Sequence, residues 1–395
     1  MFKDWQHDKG VIRLLPAALV TVLVCSLMLF ATSTAHADGG APNLAYIAGA
    51  AHGISVVDVA QQKVTSNFAI PGDPHNILLS LDARFLYVTL PQKNQVAVLA
   101  AKTGQQVCSV NVPGQPSLLA YDPSPDTLYA AGNGAATVTA INPNNCTVRF
   151  TIQTDGPVYG LAAALVTASG RDTNQLWVAA NTLGIFDDFN GHTIGTLSIP
   201  GGPHYVSVPP GATVYVTTGQ NSVVAVDLST HHVIPLVSGG VYGPMDYDAT
   251  TGEIYVPDTK NNQLVVLAPV NSGFPPPHEP SRVIHLGVPP ASVAITSDGL
   301  LGFVALSSGN VVMLDLPGRE VITTIPVGGS PHFIITGLYP PLIGTTPQQA
   351  SVWETVLNIA AYVFVAALFL IPILLFRRYT KATAIPPEKQ RRSKR

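Results

Sequence analysis

Charge is scarce in this chain. Only 11% of its 395 residues are Asp, Glu, Lys or Arg, and the formal net charge is -3. A surface that tracks phosphates needs clustered cations, and the middle of the chain offers none, so a nucleic-acid partner is not expected. The familiar chemical motifs are missing too: no Cys-x-x-Cys-His, no His-Glu-x-x-His, no Gly-x-Ser-x-Gly turn, no phosphate-binding Gly-rich loop and no EF-hand loop. An enzyme would have to build its site from scattered residues, and inner-strand acids are sparse, with Asp246 standing alone. No segment of the middle holds a 3.6-residue apolar period, which excludes a solenoid of helix pairs.

Glycine and proline are plentiful, 34 of each, and 47% of residues are hydrophobic. That balance suits many short strands joined by tight turns. Proline recurs at a matching place at Pro74, Pro116, Pro157, Pro203, Pro244, Pro290 and Pro331, at spacings of 41 to 46 residues. Each copy continues through an apolar stretch into a run with one aromatic residue: Tyr46, Tyr87, Tyr129, Trp177, Tyr215, Tyr255 or Phe303. A Val-rich run such as "SVVAVDL" and a fourth run such as "EVITTIPVGG" complete the copy. Four short strands in each of seven repeats of this length predict an all-β, seven-bladed β-propeller.

The copies are out of phase with the chain ends. Residues 44–71 supply strands two to four of a blade, and Pro331 to Thr336 supply only a first strand. Pairing them would complete the seventh blade and leave no free sheet edge. The aromatic series, one ring per blade at a strand position, is expected to be inter-blade packing. Two stretches break the period: "VTASGRDTN" at 166–174 and "NSGFPPPHEPSR" at 271–282 are expected to lengthen turns, as tolerated insertions or as partner contacts.

Both ends of the chain carry hydrophobic addresses. Residues 1–37 read as a signal peptide: Lys3, Lys9 and Arg13, an apolar run from Leu14 to Ala31, then Ala35-His36-Ala37. An uncleaved anchor is the alternative. Domain 38–336 would be the propeller, and 337–351, rich in proline, a semi-rigid tether. Segment 352–376 contains a charge-free run from Thr355 to Phe376, long enough to span a bilayer. The basic tail 377–395 then lies in the cytoplasm by the positive-inside rule. The expected localisation is the inner membrane, single-pass, with the propeller on the periplasmic side and a protein partner in the envelope.

These residues resemble the YVTN-type (YncE-like) β-propeller repeat family. The likeness rests on "YVTL" at 87–90, "YVTT" at 215–218, the Gly-Pro turn before each first strand, with Gly one to three residues ahead of the repeat proline, and Asp58, Asp227 and Asp315 closing third strands. It covers roughly residues 44–336. The resemblance implies an exported propeller but no single activity, since the group and its relatives include lactone hydrolases, haem-binding propellers of periplasmic nitrite reductases and proteins with no assigned chemistry. A C-terminal anchor departs from the common exported form.

Two sets of residues remain as candidates. Cys108 and Cys146 are the cysteines left after signal removal; they could form a disulfide in an oxidising compartment, or stay free because they sit about three residues out of register. The residue after each repeat proline marks the mouth of the central channel: His75, Ser117, Val158, His204, Met245, Ala291 and His332. Three imidazoles and a thioether could hold copper or zinc, or an imidazole could meet haem. Alternatively, Pro-His is turn punctuation, and the histidines serve the backbone at the channel mouth. The favoured reading is a non-catalytic binding or scaffold module; a metal- or haem-binding protein and a lactonase-like hydrolase are the alternatives.

Overall fold

A computed structural model describes residues 44–337, apart from 169–170, 210, 212, 229 and 272–273. The expected signal peptide, the tether beyond Gly337, the apolar segment and the basic tail lie outside the described residues. Among the described residues no helix is long and apolar enough to cross a membrane, and the one helix is a 3-10 turn at Pro91–Lys93.

The chain forms seven four-stranded antiparallel sheets, each in sequential strand order from the channel outward, which is the seven-bladed propeller. Blade 1 is the composite one. Its inner strand, Phe333–Thr336, pairs with Leu44–Ala50 in the register Ala45↔Thr336 to Ala48↔Phe333. Blades 2 to 7 follow at 77–111, 118–153, 160–197, 203–238, 246–285 and 290–326.

The middle strands are apolar on both faces because both faces are covered by neighbouring blades. In Phe85–Leu90, "FLYVTL", five of six residues are buried, whereas the outer strand Glu320–Pro326 is mostly exposed. Seven apolar clusters result, each shared by two adjacent blades, and one of them joins blade 7 to blade 1 through Phe303, Met313, Ile47 and Ile334. All seven repeat aromatics are buried, with Tyr129, Trp177 and Phe303 fully so. They are core, as the repeat position implied.

A bulge interrupts the pairing of the third and outer strands in every blade except the sixth. Bulges add local twist, which lets each blade fan away from the next. Blade 6 has instead the 271–282 insertion between those strands, as expected. The other insertion differs from expectation. Residues 166–174 do not make a longer turn; they extend the ribbon, so that Gly160–Ala168 and Arg171–Ala179 pair without a break. Antiparallel pairing overrides the loop-like composition of that stretch.

The structure joins Cys108, on the outer strand of blade 2, to Cys146, in the turn before the outer strand of blade 3, with a Cα–Cα distance of 6.2 Å. Cys146 takes a left-handed backbone, φ 55°, and sits off the strand, which accommodates the register offset. Closing a loop of 38 residues limits the unfolded chain by about 4 kcal/mol in the chain-entropy account. Replacing both cysteines by serine should lower the unfolding free energy by about 3–4 kcal/mol in urea titrations. A thiol assay on the unreduced, denatured protein should find neither Cys108 nor Cys146 reactive.

Candidate functional site

The propeller's two faces follow from strand direction. Inner strands run away from the repeat prolines, so the links between blades and the second-to-third turns lie on one face, the mouth face. First-to-second and third-to-outer turns lie on the opposite, basal face. A cavity of about 370 Å³ opens at the mouth, and all seven residues that follow the repeat prolines line it.

The Thr of each "YVT" run sets the wall of this cavity. Thr89 and Thr217 are fully buried. Thr89 Oγ1 accepts from the Asn76 backbone N–H at 2.8 Å, and Thr217 Oγ1 accepts from Tyr205 N–H at 3.0 Å. Each hydroxyl thereby satisfies a buried donor just after a Pro-His pair, where the inner strand is not yet fully laddered. Pro-His is therefore a turn element as well as a carrier of imidazole.

Ring closure brings two of the imidazoles together. His75 and His332 stack, with centroids 4.7 Å apart and planes 14° from parallel. His332 Nε2 also lies 3.4 Å from Asp73 Oδ1. Gly49 makes room for the ring: at φ 80°, a Cβ there would come within 2.6 Å of His332 Cδ2. Burial, and then electrostatic interaction with the adjacent His332 ring, hold His75 below its usual pKa, so it is neutral at neutral pH. Its Nδ1 is buried and has no hydrogen-bond partner.

His204 does not join this pair. It stacks on Tyr159 at 4.9 Å and meets Tyr205 edge-on at 4.5 Å, and burial lowers its pKa. Met245 lines the same cavity from blade 6. The four candidate ligands share one chamber, but among the described residues no group of three or more His, Cys, Asp or Glu side chains is gathered to hold a metal ion. Imidazole lone pairs lie in the ring plane, so two stacked rings do not converge on one ion. As arranged, the residues do not fit a shared metal. No Asp or Glu lines the mouth cavity.

Tyr159 and Tyr205 were not evident as site residues from the sequence, because aromatic residues beside a strand read as core. Position was the available signal, since each follows a mouth residue directly. Asp246 sits one step deeper, beside a second chamber of about 240 Å³ lined by inner strands. It accepts from Ile295 N–H at 2.7 Å and Tyr247 N–H at 2.9 Å, yet burial still pushes its pKa up to about 6.

On the basal face a second acid was hidden from sequence reading. Asp188, in the third-to-outer turn of blade 4, is fully buried, and neither of its carboxylate oxygens has a donor. Its side-chain neighbour is the carboxyl of Asp122, at the end of the inner strand of blade 3. That contact closes only if one of the two carries a proton. Burial first, and then Asp122, push Asp188 up to about 8.

No family model matches the sequence, and no curated protein matches it. Solved structures do. A candidate 6-phosphogluconolactonase from Bacteroides uniformis is 15% identical, with a TM-score of 0.61 over 74% of this chain and 98% of that one. Dihydro-heme d1 dehydrogenase NirN, in complex with DHE, is 13% identical, with a TM-score of 0.55 over 74% of each chain. The WD40 repeats of RRP9 are 11% identical, with a TM-score of 0.55 over 65% of this chain and 82% of that one. At such identities the likeness concerns the fold alone. The class is a seven-bladed β-propeller, whose relatives in shape do unlike things.

The Asp188 proton gives a testable sign. Because its pKa is raised on folding from about 3.9, its stabilising contribution is full below that value and is lost as pH rises towards 8. Asp188→Asn keeps the shape and a donor for Asp122. In thermal melts from pH 4 to pH 9 the variant should lose less stability with rising pH than the parent, and the two should differ most at the alkaline end.

Proposed function

We propose that this chain is a membrane-tethered, extracytoplasmic binding module of the YVTN type that receives a partner protein or envelope ligand at the mouth of its central channel. The observation that carries the reading is the mouth cavity itself, with its stacked His75–His332 pair and its shelf of Tyr159, His204 and Tyr205. Imidazole and phenol rings present flat faces with polar edges, which suit an aromatic or apolar group bearing a few polar atoms. Propellers of similar fold occur as WD40 repeats, and one stands in a mitotic checkpoint complex; both are consistent with a protein partner. The signal-like start, the charge-free run from Thr355 to Phe376 and the basic tail support the tether and its orientation.

A second reading, copper, zinc or haem held by His75, His204, Met245 and His332, rests on these four side chains lining one chamber. It requires His204 or Met245 to swing away from the observed contacts. A lactonase-like activity has no acid lining the mouth cavity among the described residues to draw on, only Asp73 beside His332 at the rim and Asp246 below.

A photo-crosslinking residue at Asn133, on the mouth rim, should trap a specific adduct in native membranes, whereas one at Val148 on an outer strand should not. Tyr205→Ala should reduce that adduct about five-fold, the equivalent of roughly 1 kcal/mol for one aromatic contact. No adduct at the rim would count against the binding reading. Full-length protein purified without chelator should be colourless and metal-free; stoichiometric metal or a haem spectrum, lost in the His75→Ala, His204→Ala and His332→Ala triple variant, would favour the second reading.

A further inference from the structure

Exposed large apolar side chains are normally scattered. Here, away from the outer strands, they are segregated. Leu81, Leu165, Phe189, Phe274 and Leu300 are all exposed, Phe274 to 73% and Leu165 to 63%. Leu81 and Leu300 lie in first-to-second turns, Leu165 on the extended ribbon that ends in one, and Phe189 and Phe274 in third-to-outer turns. All five therefore belong to the basal face. On the mouth face the corresponding residue is Val241 alone among those described.

Three of these turns are closed by an acid. Asp187 accepts from the Phe189 backbone N–H at 3.1 Å, Asp298 from Leu300 N–H at 3.0 Å, and Asp82 from Arg84 N–H at 3.2 Å in the turn that begins with Leu81. Each acid closes its turn and leaves an apolar residue at or beside the tip. The five apolar residues are spread over blades 2, 4, 6 and 7, so they form a set of separate apolar tips on one face, as shallow insertion into a flat interface would use.

The chain's own course indicates what covers it. Gly337 N–H donates to Leu44 O at 2.8 Å, where the inner strand of blade 1 ends and the second begins. Both ends of the described chain therefore leave from the basal face. Beyond Gly337, 17 residues (338–354), rich in proline, lead to the charge-free run, a reach of about 55 Å at most if extended. We infer that the basal face rests on the lipid bilayer, inserting Leu81, Leu165, Phe189, Phe274 and Leu300 at the headgroup boundary, with the channel mouth turned away from the membrane. The inference rests on the anchored reading above. The carboxylates of Asp58, Asp82, Asp187, Asp248, Asp298 and Asp315 close turns on the same face, so a zwitterionic surface suits it better than a strongly anionic one.

The test uses full-length protein carrying Cys25→Ser, reconstituted into phosphatidylethanolamine–phosphatidylcholine vesicles. Single thiols from Phe274→Cys, Leu300→Cys or Val241→Cys carry an environment-sensitive dye. A nitroxide on the lipid headgroup should quench the dyes at 274 and 300 about two-fold or more, as for side chains seated about 5–10 Å into the interface, and leave 241 unaffected. Aqueous iodide should show the reverse order. Phe189→Glu with Leu165→Glu should restore iodide access at 300 while flotation with the vesicles is kept. Protein that fails to float overturns both the anchor and this surface. Protein that floats with 274 and 300 as open to iodide as 241 overturns the surface alone. Shielding at 274 and 300 without lipid quenching, growing with protein density, assigns the face to a second copy and overturns the lipid inference.

Discussion

Every blade of this protein buries both of its faces, and that requirement is satisfied only if the ring closes. The bond that closes it is small: four residues, Phe333–Thr336, laid against Leu44–Ala50. Without that strand, blade 1 would have three strands and an open edge facing the channel, and the cluster that joins Phe303 and Met313 to Ile47 across the seam would lose Ile334. The mouth depends on the same contact. His332 reaches His75 because the last inner strand returns beside the second blade, and Gly49 on the partner strand leaves space for it.

The repeat explains why chemistry and architecture are hard to separate here. Proline sets each inner strand's start, a Thr hydroxyl two residues beyond the repeat aromatic steadies it in blades 2 and 5, and the residue between them is left facing the cavity. A position constrained on both sides by backbone bonding is free to vary in its side chain. Small or apolar residues occupy it in most blades, and imidazole in three. Variation at one repeat position, rather than an added motif, gives the mouth its character.

Architecture was legible in the sequence to the level of individual strands, because seven prolines and seven aromatics repeat one geometry, and even the composite blade could be read from its missing first strand. The mouth was legible as a ring of positions but not as a site. That His204 rests on Tyr159 beside the neighbouring blade, while His75 meets His332, is set by side-chain rotamers and blade positions that no spacing encodes. The Asp122–Asp188 pair was invisible for a different reason. Each acid reads as an ordinary turn residue, and their meeting depends on two different turns of adjacent blades reaching the same depth. The stretch at 166–174 misled through composition: Ser, Gly, Asp and Asn suggest a loop, but pairing across the ribbon decided otherwise.

Four strands per blade is an even number, so each blade begins and ends on the same side of the ring. A chain that opened on an inner strand would have both termini at the channel mouth. Here the break falls one strand later, between the inner and second strands of blade 1. That single step of circular permutation reverses the polarity of the ring with respect to its leads: the ends of the described chain, Leu44 and Gly337, meet on the far side from the cavity.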